Sequence, residues 1–121
     1  MSKVVLLVED EDFIRDMYKF KLAKSGLTVI EATDGKKALE KLSGDLPDVV
    51  LLDLMMPNVS GIEVLKHLRK QNITPDLPVI VLTNVMDSQI VAEAKELGAR
   101  DYFVKTDLTP SQVAEGLKQF I

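Results

Sequence analysis

The feature that most constrains the fold is an unbroken apolar run, Val49 to Leu52, that leads directly into the carboxylate of Asp53. A run of β-branched residues and leucine without polar alternation is typical of a strand buried on both faces of a parallel sheet. Asp53 is then expected at the carboxyl end of that strand. An aspartate there often has only a structural task, such as capping a turn or a helix. Whether Asp53 has a functional role therefore depends on which other residues lie beside it in the folded chain.

A second apolar run, Val4 to Val8, also ends in carboxylates, beginning with Glu9 and Asp10. The helix predicted to follow needs only one of these acids, because one carboxylate at its start can accept the free N–H groups of the first turn. We assign that role to Asp12, which leaves Glu9 and Asp10 without a structural task.

The intervening segments have the periodicity and the end signals of helices. The first helix should end at Gly26 and bury a face made of Phe13, Ile14, Met17, Tyr18 and Leu22. The starts of the other helices are marked by Asp34, by a Ser60–Glu63 capping box, by Asp87 or Ser88, and by Thr109 with Pro110 and Gln112. The last helix is predicted to run to about Phe120, and His67 should face solvent.

Three further short strands are predicted, over Thr28 to Glu31, Val79 to Leu82 and Tyr102 to Val104. Five strands then alternate strictly with five helices, which predicts a doubly wound parallel sheet with helices on both faces. We adopt the usual strand order of such sheets, 2-1-3-4-5, which places the first and third strands side by side where ligands bind.

All strand carboxyl ends share one edge of a parallel sheet, so this order brings Glu9, Asp10 and Asp53 together, with Thr83 and Lys105 beside them. Three crowded carboxylates repel one another, and one lysine does not balance them. Oxygen ligands of this kind suit Mg²⁺, so we predict a magnesium site. A metal, a carboxylate nucleophile, a hydroxyl and a lysine are the groups that phosphoryl transfer requires, with Asp53 as the acceptor.

Composition argues against several other functions. The chain has no cysteine and a single histidine, which excludes disulfides and thiolate metal sites and makes a usual zinc site implausible. A net charge of -4 argues against direct binding of nucleic acid. The apolar run near the N-terminus is too short for a signal peptide or a membrane span, so we expect a cytoplasmic protein that does not insert into membranes. With 121 residues, of which 46% are hydrophobic, we expect one domain over residues 1–121.

Taken together, these motifs resemble the receiver domain of two-component response regulators, from Lys3 to Ile121. The residues that carry the resemblance are the pair Glu9–Asp10, the segment Leu52 to Pro57 with Gly61, Thr83, and the segment Tyr102 to Lys105. The resemblance implies a flavodoxin-like fold and transfer of a phosphoryl group to Asp53 from a histidine kinase, a phosphotransfer protein or a small donor such as acetyl phosphate. It implies a signalling protein that assists its own phosphorylation and slow dephosphorylation, not an enzyme acting on other substrates.

The resemblance also implies roles for individual residues. Mg²⁺ would be held by Asp10, Asp53 and the backbone carbonyl of Met55, with Glu9 acting through water. Thr83 and Tyr102 would form a switch, in which Thr83 turns toward the phosphoryl group and the tyrosine swings inward. The surface of the fourth helix, fifth strand and fifth helix would thereby change for an unknown downstream protein.

Two features depart from the family pattern or vary within it. Thr106 follows Lys105 where the family usually has a proline in the cis form, which leaves the isomer of this peptide bond open. Met55 and Val85 lie where side chains flank the route of the attacking water, and both are apolar. Our hypothesis is that they slow hydrolysis of the acyl phosphate.

Three other functions fit these residues less well. A receiver-like scaffold that signals without phosphate is disfavoured by the complete set of acids, threonine and lysine. A phosphatase of the haloacid dehalogenase type wants a second acid where Met55 stands. A flavodoxin-like electron carrier would need a phosphate-binding loop where Glu9 and Asp10 would repel phosphate.

We expect docking to another protein if this sequence is the whole product, and control of an attached module if it is a piece of a longer one.

Overall fold

The computed structural model describes residues 2–56, 58–73, 76–84 and 88–121. Strands and helices alternate along the chain. The elements are β1 (Val4–Val8), α1 (Asp12–Lys24), β2 (Thr28–Ala32), α2 (Gly35–Leu42), β3 (Val49–Leu52), α3 (Gly61–Lys70), β4 (Val79–Thr83), α4 (Ser88–Glu96), β5 (Asp101–Val104) and α5 (Pro110–Leu117). A single 3-10 turn, Lys118–Phe120, follows α5.

The five strands form one parallel sheet in the order β2-β1-β3-β4-β5, which confirms the predicted order. β1 and β3 are neighbours, and Val8 lies opposite Leu52. The N–H of Asp53 donates to the carbonyl of Val8 at 3.1 Å, so the pairing continues to the last residue before the loop. Glu9 and Asp53 therefore leave the sheet at the same level.

Alternate residues of the central strands supply two apolar cores, one on each face of the sheet. On one face, Leu6, Val8, Val50 and Leu52 pack with residues of α2, α3 and α4. On the other, Val5, Leu7, Val49 and Leu51 pack with residues of α1 and α5. Because both faces are covered, the central strands β1, β3 and β4 are buried at every position except Val4, which explains the unbroken apolar runs.

Most of the predicted helix signals are confirmed. Asp34 caps α2, since its Oδ1 accepts the N–H of Lys37 at 2.8 Å. Thr109 and Gln112 form a reciprocal capping box at the start of α5, with Pro110 at the first helical position. Ser60 Oγ accepts the N–H of Glu63 at 3.3 Å, which is one half of the predicted box.

Two predictions about α1 are wrong. The helix begins at Asp12 with Glu11 in the N-cap position, and the Asp12 carboxylate instead pairs with Arg15 one turn later. Phe13 is 82% exposed, and Met17 is also exposed rather than buried. The cause is the helical phase, because the buried face consists of Arg15, Tyr18 and Leu22. A residue two positions from Arg15, such as Phe13, points to the other side of the helix.

The remaining predictions concern the ends of helices and the exposure of His67. α1 ends before Gly26, which adopts a left-handed backbone with φ +93°. α5 is shorter than predicted and ends at Leu117, after which the backbone tightens into the 3-10 turn. His67 is exposed, as predicted. Pro57, Val85 and Asp87 lie outside the described residues, and α4 begins at Ser88.

Across the ranges that the structure describes, every helix is too short or too polar to cross a membrane.

Candidate functional site

Three carboxylates meet at the carboxyl edge of the sheet, as the strand order predicted. Glu9, Asp10 and Asp53 each place one oxygen within 4.8 Å of the others. Glu9 is 0% exposed and Asp53 is 5% exposed, while Asp10 is half-buried. The group therefore concentrates negative charge in a place that water reaches poorly, which is costly unless positive charge lies nearby.

Lys105 supplies part of that positive charge. Its backbone N–H donates to the carbonyl of Thr83 at 2.9 Å, so the end of β4 positions the residue that follows β5. Its Nζ lies 2.5 Å from Glu9 Oε2 and 3.3 Å from Asp53 Oδ2. The peptide bond between Lys105 and Thr106 is trans, which answers the question left open by the missing proline.

Glu9 is held at each of its hydrogen-bonding atoms. Its N–H donates to the carbonyl of Ala32 at 3.1 Å, and its own carbonyl accepts from Arg15 at 3.0 Å. Oε1 accepts the N–H of Glu11 at 3.3 Å, and Oε2 accepts from Lys105. Such complete pairing explains how a fully buried carboxylate is accommodated.

Asp53 lies at the start of a tight loop that follows β3. Its Oδ1 accepts the N–H of Met55 at 3.1 Å, while Oδ2 faces Lys105. The loop also needs Gly61, because a Cβ there would lie 2.3 Å from the carbonyl oxygen of Asp53. The N–H of Gly61 donates to Leu54 at 3.1 Å, which joins the start of α3 to the end of β3. Met55 itself is 60% exposed at the rim of the site.

Burial dominates the electrostatics of the cluster. It raises the pKa of Glu9, an effect that Lys105 opposes and Asp53 reinforces. Burial likewise raises the pKa of Asp53, against the opposing effects of Lys105 and the N–H of Met55. For Lys105, burial alone would lower the pKa, but the two carboxylates outweigh it and the pKa is raised. The lysine is therefore firmly protonated, and it offsets only part of the desolvation cost of the carboxylates.

Thr83 and Tyr102, predicted to act as a pair, lie at different depths. Thr83 is fully buried at the carboxyl end of β4, the strand next to β3. Tyr102 lies on the edge strand β5, is 38% exposed, and has the Nζ of Lys95 at 5.0 Å from its ring centroid. The structure therefore brings Thr83 to the edge that carries the cluster and leaves the Tyr102 ring on the surface beside α4.

One residue of the site was not predicted from the sequence. Arg15 is buried on α1 and donates to the Glu9 carbonyl, so it contacts the residue that pairs with Lys105. A signal was available, since Arg15 shares its helical face with Tyr18 and Leu22 at spacings of three and seven. A charged residue on an otherwise buried face requires partners, and acidic residues lie on both sides.

Comparison with known proteins decides the family. The sequence model described as "Response regulator receiver domain" matches residues 5–116. The chain belongs to the response regulator receiver domain family. This receiver domain is 39% identical over 120 residues to the chemotaxis protein CheY of Thermotoga maritima, and the match covers 98% of each chain.

Other relatives are longer. The receiver domain is 37% identical over 118 residues to the phosphate regulon transcriptional regulatory protein PhoB of Escherichia coli, a match that covers 98% of this chain and 51% of that protein. The chain thus spans about half the length of several regulators that it matches. Among solved structures, response regulator TrrA from Thermotoga maritima in complex with Mg(2+)-BeF is 31% identical, with a TM-score of 0.84 and coverage of 98% and 99%.

The family and the fold confirm the main predictions from the sequence. The protein is a phosphoacceptor receiver domain of two-component signal transduction, with the flavodoxin-like doubly wound sheet. Receiver domains are signalling proteins that interact with histidine kinases and with downstream effectors.

Proposed function

We propose that Asp53 is the residue that accepts the phosphoryl group. The observation that carries the proposal is a nearly buried carboxylate that faces Lys105 and two further carboxylates at one edge of the sheet. A carboxylate oxygen of Asp53 would form a bond to phosphorus while the bond from phosphorus to the donor breaks. The donor would be a phosphohistidine of a kinase or phosphotransfer protein, or acetyl phosphate, and the displaced imidazole or acetate would keep the bonding electron pair.

The donor set of the site fits a magnesium ion. Glu9, Asp10 and Asp53 offer only oxygen atoms, and their three carboxylates face the single ammonium of Lys105. Asp10, Asp53 and the backbone carbonyl of Met55 would hold Mg²⁺ and Glu9 would act through water, since Mg²⁺ takes carboxylate, carbonyl and water oxygens. A bound Mg²⁺ would neutralise charge on the oxygens of the transferred group. The related protein TrrA was crystallised with Mg(2+)-BeF, which supports this assignment.

The other site residues would act on the phosphoryl group after transfer. Lys105, positioned 3.3 Å from Asp53 Oδ2, would pair with a phosphoryl oxygen, and Thr83 would donate its hydroxyl to another. Met55 would cover one side of the acyl phosphate with an apolar side chain and so retard the attack of water. The domain would thereby assist its own phosphorylation and its slow dephosphorylation.

The contact between Thr83 and the phosphoryl group would also drive the predicted change in conformation of Thr83 and Tyr102. Thr83 lies at the end of β4, and Tyr102 lies on β5 against Lys95 of α4. Movement of Thr83 toward a phosphoryl group would open space for the Tyr102 ring and alter the surface of α4, β5 and α5 for a downstream protein. NMR of the Tyr102 ring with and without Mg²⁺ and beryllofluoride tests this, because one unchanged rotamer in both states would contradict it.

Transfer from a kinase that uses ATP would place the domain in the cytoplasm, and the proposal involves no contact with nucleic acid or membrane. The test is incubation of the protein with acetyl phosphate and Mg²⁺, followed by intact-mass measurement. We expect one phosphoryl adduct on the wild type, none on Asp53→Asn, and an unchanged adduct on Asp45→Asn, which alters an exposed acid elsewhere. An unmodified wild type with several donors would favour the scaffold that signals without phosphate.

A further inference from the structure

The guanidinium of Arg15 joins three parts of the chain beneath the carboxylate cluster. One terminal nitrogen donates to the backbone carbonyl of Glu9 at 3.0 Å. The other pairs with Asp12 Oδ1 at 2.5 Å, and Nε lies 3.5 Å from Glu31 Oε1 on β2. Arg15 is only 9% exposed and its hydrogen bond to the Glu9 carbonyl is buried, whereas the side chain of Asp12 is largely exposed.

The carbonyl that Arg15 holds marks the point where the chain leaves the sheet. The N–H of Glu9 still pairs with β2, through the carbonyl of Ala32. The carbonyl belongs to the next peptide group, which joins Glu9 to Asp10. That peptide group is rigid and planar, so holding its oxygen restricts the backbone directions of both residues. The two carboxylates on either side of it, Glu9 and Asp10, are two of the three in the candidate metal site.

We propose that Arg15 is a positioning residue that sets the magnesium affinity of the site by holding the peptide group between Glu9 and Asp10. The inference rests on the proposed function, since it concerns the same ion. In this role Arg15 would act only through the two acidic residues and would not itself bind the ion or the phosphoryl group. Partners that orient metal ligands in this way commonly change metal affinity by about 10- to 100-fold when removed.

The contacts require the planar guanidinium group of an arginine, and a positive charge alone would not be sufficient. The two terminal nitrogens of Arg15 donate to the Glu9 carbonyl and to Asp12 Oδ1, and Nε forms an ion pair with Glu31 at 3.5 Å, an arrangement that a single ammonium on a lysine cannot reproduce. The charge of the guanidinium is also met by Asp12 and Glu31. Loss of a cation near a metal site would by itself strengthen Mg²⁺ binding, so positioning and simple electrostatics predict opposite signs.

The test is a Mg²⁺ titration followed by amide NMR for the wild type, Arg15→Lys and Arg15→Met. We expect both variants to bind Mg²⁺ about tenfold more weakly. Lys19→Met is the matched control, because it removes the other cation on Glu31 from the same helix and leaves Glu9 untouched. Its affinity should equal that of the wild type. Unchanged or tighter binding by Arg15→Met, or wild-type affinity in Arg15→Lys, would overturn the proposal.

Kinetics separate positioning from a direct part in the chemistry. Phosphorylation by acetyl phosphate should need about tenfold more Mg²⁺ for half-maximal rate in the Arg15 variants. At saturating Mg²⁺ the maximal rate should return to that of the wild type. A rate that stays low at saturating Mg²⁺ would contradict a role confined to ligand positioning.

A measurement without metal distinguishes a loss of positioning from a variant that fails to fold or to bind metal. Hydrogen exchange at the amide of Glu11, which donates to Glu9 Oε1, should be faster in Arg15→Met than in Lys19→Met. Glu31→Gln, which removes one anchor of the guanidinium, should shift exchange the same way by a smaller amount. Equal exchange in all variants would overturn the positioning role. A wild type that binds no Mg²⁺ would instead refute the metal site of the proposed function, which this exchange experiment does not require.

Discussion

Lys105 lies closer to Glu9 than to Asp53, with Nζ at 2.5 Å from Glu9 Oε2 and 3.3 Å from Asp53 Oδ2. Lys105 and Glu9 are 96 positions apart in the sequence, and the side chains of both are almost completely buried. The lysine is thus the positive charge that makes the carboxylate cluster tolerable in the folded protein. Removal of one member of such a buried pair leaves uncompensated charge, which is more costly than the pair is favourable.

Lys105→Met should therefore lower the free energy of unfolding by about 3 kcal/mol in metal-free buffer. Added Mg²⁺ should stabilise this variant more than it stabilises the wild type, because the ion replaces the missing positive charge. Urea unfolding with and without Mg²⁺ measures both effects. Lys118→Met is the control, since its pair with Glu115 is exposed and contributes at most about 1 kcal/mol. A Lys105→Met variant as stable as the wild type would contradict this account.

The raised pKa of Asp53 predicts how stability changes with pH. Because burial favours the protonated form in the folded state, ionisation costs stability as the pH rises from the usual value of 3.8 through the raised pKa. Asp53→Asn has no such ionisation. In metal-free buffer it should therefore be more stable than the wild type at neutral pH.

Unfolding by urea at a series of pH values, from neutral to below the usual carboxyl value of 3.8, tests this prediction. The advantage of Asp53→Asn over the wild type should shrink toward the acid end, where the wild-type carboxyl is protonated in both states. Asp45→Asn, at an exposed loop position, controls for the loss of one negative charge. A stability difference that is constant across the range, or reversed in sign, would mean that ionisation of Asp53 is not the cause.

Gly61 should be required for the geometry of the phosphoacceptor loop. A Cβ at this position would lie 2.3 Å from the Asp53 carbonyl oxygen and 2.7 Å from the Cα of Leu54, both backbone atoms that cannot move aside cheaply. Gly61→Ala should cost about 1 to 3 kcal/mol of stability and reduce phosphorylation at fixed Mg²⁺. Gly44→Ala is a matched control, since its Cβ would meet only one atom, at 4.0 Å. Equal stability of the two variants by thermal unfolding would refute the steric argument.

Met55 should lengthen the life of the phosphorylated state. Its side chain is exposed at the rim, and its N–H donates to Asp53 Oδ1. Met55→Asn keeps that backbone contact but replaces the apolar cover with an amide that can hold a water. We expect the phosphoryl group to be lost faster than in the wild type, because water reaches the acyl phosphate more easily. Loss of phosphate is followed by intact mass after the donor is removed.

Leu46→Asn serves as the control for Met55→Asn, because it changes an exposed apolar residue at the opposite end of β3. Its rate of phosphate loss should match the wild type. Equal rates in Met55→Asn and the wild type would show that the apolar cover does not limit hydrolysis.

The sequence was sufficient to predict the fold and the members of the cluster because those depend on backbone pairing. Apolar runs identified the buried strands, and parallel order brought Glu9, Asp10, Asp53, Thr83 and Lys105 to one edge. No side-chain detail was needed for this step, since each residue ends a strand or lies within two positions after one. The register of β1 against β3 then set the level at which the carboxylates meet.

The contacts within the cluster could not be predicted in the same way. The preference of Lys105 for Glu9 over Asp53 depends on rotamers and on distances that differ by less than an ångström. The error at Phe13 came from the helical phase of α1, because apolar residues alone favour an inward face that includes it. The buried face is instead centred on Arg15, whose charge is satisfied by partners distant in sequence such as Glu31.

The most direct test of the central claim is to locate the phosphoryl group by residue. Wild-type protein treated with acetyl phosphate and Mg²⁺ is reduced with borohydride, which converts an aspartyl phosphate into homoserine, and its peptides are then sequenced by mass spectrometry. The account predicts homoserine at Asp53 alone, and none in samples prepared without Mg²⁺ or without donor. Homoserine at Asp10 or another acid, with Asp53 intact, would contradict it.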